Sequence, residues 1–200
     1  MPGSRRDAAI AGYRADEAAA RALIADGDPT TRATALGALG RMGKLTDADL
    51  TAALHDAAPA VRRRAAELAV PNPQVALHPL LADRDPLVVE AVCWALGERG
   101  EGQEKGVVPA LVGAATDHRD ALCREAAVAA LGAIGDPAGL PAILAATQDK
   151  PAVRRRAVLA LAPFDGPEVD EALRRASEDR DWQVRQAAED LLSGPSEPIP

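Results

Sequence analysis

The chain has 200 residues, a formal net charge of −7 and 48% hydrophobic residues. That charge argues against a general binder of nucleic acid or of anionic membrane, because both surfaces repel it at long range. Only four residues are aromatic, Tyr13, Trp94, Phe164 and Trp182, so the core must be built from Ala, Val and Leu, a composition that favours helix over strand.

The N-terminal stretch MPGSRRDAAIAGYRADEAAA has basic residues but no apolar run long enough for a signal peptide. No stretch of 18 apolar residues occurs anywhere, so no membrane span is expected and a cytoplasmic location follows. Residues 1–28 are expected to form an N-terminal cap helix or hairpin, roughly over 7–25.

From residue 29 the chain repeats itself. The heptapeptide PAVRRRA stands at 59–65 and again at 151–157. Aligning on its proline gives six anchors, Pro29, Pro59, Pro86, Ala121, Pro151 and Trp182, spaced by 30, 27, 35, 30 and 31 residues. A period in this range signals a solenoid or array. Two residues after the anchors stand Thr31, Val61, Val88, Cys123, Val153 and Val184. Six after stand Ala35, Ala65, Val92, Ala127, Ala157 and Ala188, and ten after stand Leu39, Ala69, Leu96, Leu131, Leu161 and Leu192. Those offsets share one ridge of a helix, and the small residue in its middle lets a neighbouring helix come close. The apolar residues do not alternate, which excludes strands.

The boundaries carry their own signals. Asp28, Asp85 and Asp136 each precede a proline, placing a capping carboxylate before the first helical residue. Glycines at 40, 97–100 and 132–135 mark stops. Behind them come shorter helical stretches: TDADLTAALHD, PNPQVALHPLLA, VVPALVGAA, DPAGLPAILAAT and GPEVDEALRRAS. Each repeat therefore reads as two antiparallel helices. Neither can bury its face alone, so the expectation for 29–193 is an all-α, right-handed α-solenoid of about six two-helix repeats. The tail 194–200 is expected to be disordered.

Three residues after the anchors stand Arg32, Arg62, Arg124, Arg154 and Arg185, with Val89 in the third repeat. This column reads as structural. Asp28, Asp85, Asp120 and Asp181 precede their anchors, and an arginine of one repeat can bridge the aspartate-rich turn of a neighbour, since its planar fork satisfies carboxylate and turn carbonyls together. The next arginine, Arg63 or Arg155, projects about 100° further round and is expected in solvent.

The pattern D-x-D-P-x-V-R-x-x-A-x-x-A-L-G, seen in 83–97, 117–135 and 179–192, resembles the HEAT-like repeats of the phycobilin-lyase type. The resemblance runs over nearly the whole chain. It implies the solenoid fold; its members include bilin lyase subunits, di-iron deoxyhypusine hydroxylases, HEAT-like DNA glycosylases and scaffolds without chemistry. A hydroxylase of that class carries repeated His-Glu pairs, and none exists here: the histidines are His55, His78 and His118. Cys93 and Cys123 fall on the packing side of adjacent repeats and read as core thiols. No cofactor and no metal site are expected, and no catalytic residue is assigned.

The third repeat breaks the rule. Besides Val89, it carries the insertion GERGEGQEKG at 97–106 and places Trp94 eight after the anchor, facing away from the ridge. Leu87 lies on the same outward face and Leu122 is its equivalent in the next repeat, so Leu87, Trp94 and Leu122 form the candidate partner-binding patch. The expected function is a non-catalytic scaffold or adaptor that binds another protein, as a monomer or weak homodimer. The alternative is a regulatory or chaperone-like subunit of an enzyme, lyase-type subunits included. A nucleic-acid role ranks below both.

Overall fold

A computed structural model describes residues 3–100 and 106–193. Among these residues there are twelve α-helices and no strand. They are α1 (Arg5–Tyr13), α2 (Glu17–Leu23), α3 (Pro29–Arg41), α4 (Asp47–Leu54), α5 (Pro59–Leu68), α6 (Pro86–Arg99), α7 (Val107–Asp117), α8 (Ala121–Ile134), α9 (Leu140–Ala146), α10 (Pro151–Ala160), α11 (Pro167–Ala176) and α12 (Trp182–Leu192). All six anchors are first helical residues, opening α3, α5, α6, α8, α10 and α12. The central part of the insertion, 101–105, and the tail 194–200 lie outside the described residues.

The chain divides into two compact units, Met1–Ala95 and Leu96–Pro200. In the first, α1, α3 and α5 lie side by side, with α2 packed on α3 and α4 on α5. In the second, α8, α10 and α12 lie side by side, with α7 and α9 on α8 and α11 on α12. The anchor helices thus make one layer of each unit and the shorter helices the other.

The ridge reading accounts for the core. Every residue at offsets two, six and ten is buried except Leu192, 52% exposed at the end of α12. Ala35, Ala65, Ala127, Ala157 and Ala188 are fully buried, as small residues in the middle of a helix-helix seam should be. At Gly132 the approach is closest: a Cβ built there would stand 2.7 Å from Ala160 Cα.

Caps fix the starts. Asp28 accepts from Thr30 N and Thr31 N, Asp120 from Leu122 N and Asp181 from Gln183 N. At the N-terminus, Ser4 and Asp7 form a reciprocal capping box on α1, and Asp16 caps α2. Helix α8 closes on Gly135, whose φ of 70° is costly for any residue with a side chain.

One expected helix is absent. The stretch PNPQVALHPLLA yields only a 3₁₀ turn, His78–Ala82. Pro71, Pro73 and Pro79 remove three backbone donors and clash with the preceding turn, so an α-helix cannot propagate there. Val75, Leu77 and Leu81 are nevertheless buried, so the segment fills its layer without helical hydrogen bonding throughout.

Candidate functional site

The arginine column builds the turns that hold the outward faces in place. Arg32 donates from Nε and Nη2 to both oxygens of Asp56, at 2.8 and 2.7 Å. Arg62 does the same to Asp83 at 2.7 and 2.8 Å. In the second unit Arg124 grips Asp149 at 2.6 and 2.8 Å, and Arg154 grips Asp179 at 2.8 and 2.7 Å. Each of these arginines turns its Nη1 back to a carbonyl before its own helix: Asp26, Asp56, His118 and Asp149 respectively. Arg185, in the last described helix, donates Nη1 to the Asp179 carbonyl at 2.7 Å and has no carboxylate partner among the described residues.

The carboxylates that receive these forks are not the aspartates directly before the anchors. Asp28, Asp120 and Asp181 are spent on helix caps, and Asp85 accepts from Leu87 N. The receivers stand two or three residues before the anchor and also hold their own turn: Asp56 accepts from Ala58 N, Asp83 from Asp85 N and Asp179 from Asp181 N. One carboxylate thus closes a turn and receives a neighbouring repeat; in the sequence it stands as an aspartate one or two residues before the cap position, whatever the cap residue is.

The forks hold these acids ionised. The hydrogen bond from Arg62 keeps the Asp83 carboxyl below the usual range, and Arg32, Arg124 and Arg154 do the same for Asp56, Asp149 and Asp179. The partner guanidiniums are shifted upward by the same bonds.

The pattern is broken in both columns, in consecutive repeats. Val89 replaces arginine and is fully buried. His118 replaces the turn aspartate, its Nδ1 accepting from Asp120 N at 3.1 Å, which requires that nitrogen to be unprotonated.

The sequence-predicted patch residues are placed as follows. Leu87 and Trp94, both on α6, are 46% and 50% exposed. They stand seven residues apart, two turns along one helix face. Glu90 and the exposed Glu98 lie at helical spacing on either side of Trp94. Leu122, in the second unit, is half-buried. Arg63 is exposed as expected, whereas Arg155 is half-buried. Cys93 and Cys123 are buried and free of disulfide. Among the described residues no group of three His, Cys, Asp or Glu side chains could hold a metal ion, and no helix is long and apolar enough to cross a membrane.

Stacked helix pairs with a periodic arginine–aspartate link define a helical-repeat scaffold of the α-solenoid class. The family profile described as HEAT repeats matches residues 48–132, 75–151 and 108–193, and the chain belongs to that family. Among curated proteins none matches the chain. Solved structures of like fold include a designed armadillo repeat protein, at 17% identity and a TM-score of 0.61, covering 87% of this chain and 97% of that one. The Escherichia coli protein YIBA_ECOLI shows 17% identity and a TM-score of 0.62, covering 96% of this chain and 76% of that one. A second designed armadillo repeat protein, in complex with peptide (KR)4, shows 20% identity and a TM-score of 0.58, covering 94% and 96%.

Proposed function

We propose that this protein is a non-catalytic adaptor that binds another protein through the outward face of α6. The observation that carries the reading is the exposed pair Leu87 and Trp94 on one helix face. They stand in the repeat whose arginine position is Val89. Packing explains the repeat rule and gives no reason for an exposed tryptophan there. Tryptophan is among the side chains most enriched at binding hot spots. Glu90 and Glu98 favour a partner segment that sets Lys or Arg beside an apolar side chain. The designed armadillo protein seen with peptide (KR)4 supports a peptide-like partner for a scaffold of this fold.

The test compares Trp94→Ala with wild type in pull-downs from the native host, read by mass spectrometry. Truncation should cost about 2 kcal/mol or more of binding, roughly thirtyfold, so the partner is lost from the variant. Helicity and melting temperature should stay near wild type. A melting temperature lowered by many degrees would make the tryptophan a core residue and remove the patch.

A further inference from the structure

The first unit carries a second surface with the opposite charge. A groove of about 370 Å³ runs across α1, α3 and α5, walled by Arg5, Arg41, Arg63 and Arg64. Glu67 is the sole acidic residue lining it, so four cations gather around one anion in a chain whose net charge is −7. Glu67 braces the wall: Arg64 Nη1 donates to it at 2.9 Å and Arg63 Nε stands 3.4 Å from it. Arg5 and Arg41 have no ion-pair partner among the described residues. The ladder of arginine–aspartate links uses none of these four arginines; it runs through the neighbouring column at Arg32 and Arg62.

Gly37 shows that the wall is seated. It lies inside α3, where glycine is the poorest helix former after proline. A Cβ there would meet Arg64 and nothing else closely, with the Arg64 Nη2 at 2.8 Å. The glycine thus makes room for the Arg64 guanidinium between α3 and α5. The remaining lining, Thr30, Ala33, Thr34 and Ala60, is made of small side chains.

We propose that this groove binds an acidic peptide segment of a protein partner, its Asp or Glu carboxylates taken by Arg41, Arg63 and Arg64. Guanidinium forks match carboxylates bidentately. Nucleic acid is the poorer fit: no aromatic side chain lines the groove for base stacking, and the acidic remainder of the chain repels a long polyanion. Leu87 and Trp94 lie on α6 and the groove on α1, α3 and α5, so failure at one surface is distinguishable from failure at the other.

The experiment is fluorescence anisotropy of the full chain with a fluorescein-labelled octaglutamate peptide. Saturable binding is expected, weakening about tenfold or more between roughly 50 and 200 mM salt. The double variant Arg41→Glu/Arg63→Glu should lower affinity at least about tenfold. Arg84→Glu/Arg119→Glu makes the same charge change at exposed arginines outside the groove and should stay within about twofold. Gly37→Ala supplies an arm independent of charge: it raises helix propensity yet displaces Arg64, so melting temperature should hold or rise while affinity falls. Equal loss in both double variants, or unchanged affinity in Gly37→Ala, would overturn the groove. Failure of octaglutamate to bind wild type, or tighter binding of an oligothymidylate, would overturn the acidic-peptide assignment.

Discussion

At the scale of single residues, the arginine–aspartate links carry the largest consequences. The Arg154 and Asp179 side chains are 8% and 16% exposed, so neither is well placed to recover its hydration if the other is removed. Arg154→Ala should cost about 1–3 kcal/mol, because a mostly buried carboxylate loses both guanidinium bonds and keeps only the Asp181 N–H. Arg63→Ala, at an exposed side chain on the matching heptapeptide, should stay within about 0.5 kcal/mol. Urea melts of the two variants decide this, and equal midpoints would mean the column is not structural. The same pairs set the acid response. Asp56, Asp83, Asp149 and Asp179 have folded values lowered from an ordinary 3.8, chiefly by their arginines. A depressed folded value means the unfolded chain takes protons first as pH falls. The stabilisation is therefore complete above about pH 5 and is lost progressively as pH drops through the folded values. Melting temperature should be flat from neutral to about pH 5 and fall below about pH 4. Asp179→Asn should start lower and fall less steeply, and parallel curves for variant and wild type would remove Asp179 from the acid response.

At the scale of elements, the seams between anchor helices are made by residues without bulk. Gly132→Ala drives a Cβ into the Ala160 backbone, which cannot rotate away, so one helix must shift. The expected cost is about 1–3 kcal/mol. Gly113, inside α7, has nothing within 4 Å of a built Cβ, and Gly113→Ala should stabilise by about 0.5–1 kcal/mol through helix propensity and the unfolded chain. Thermal melts of opposite sign would bear out this distinction; a stabilised Gly132→Ala would show the seam to be looser than drawn. The sequence marks Gly132 as a stop signal and leaves Gly113 within a helical stretch, yet both lie inside helices. It could not show which one is tightly packed, because the difference lies in which neighbouring atoms each one faces. The missing helix in the second repeat is the reverse case. The three prolines of PNPQVALHPLLA were legible from the start, but repeat symmetry suggested a helix that local backbone chemistry forbids.

At the scale of the molecule, the array behaves as a chain of like units whose last member differs. Offset seven holds Leu36, Ala66, Cys93, Val128 and Val158, all buried, and then Glu189, which is exposed. A polar residue where every earlier repeat is apolar suits a face that no described helix covers. Glu189→Val extends the apolar column to that face and should produce concentration-dependent association in sedimentation velocity, with wild type unchanged at the same concentration. Absence of any association would show that Glu189 does not guard the face. The sequence by itself determined the all-α class, the six anchors and the buried ridge. These are local: helix start, periodicity and side-chain size are set by neighbours a few residues away in the chain. It also pointed to Leu87 and Trp94 as outward, because seven residues return to the same face of one helix. Tertiary structure decided what depends on separate helices meeting. It assigned each arginine fork to the upstream aspartate of the next repeat, left Leu122 and Arg155 half-buried, and brought Arg5, Arg41, Arg63 and Arg64 to one groove from three helices. Charges some twenty to sixty residues apart carry no mark of proximity in the chain; only the packing distance between helices makes them neighbours.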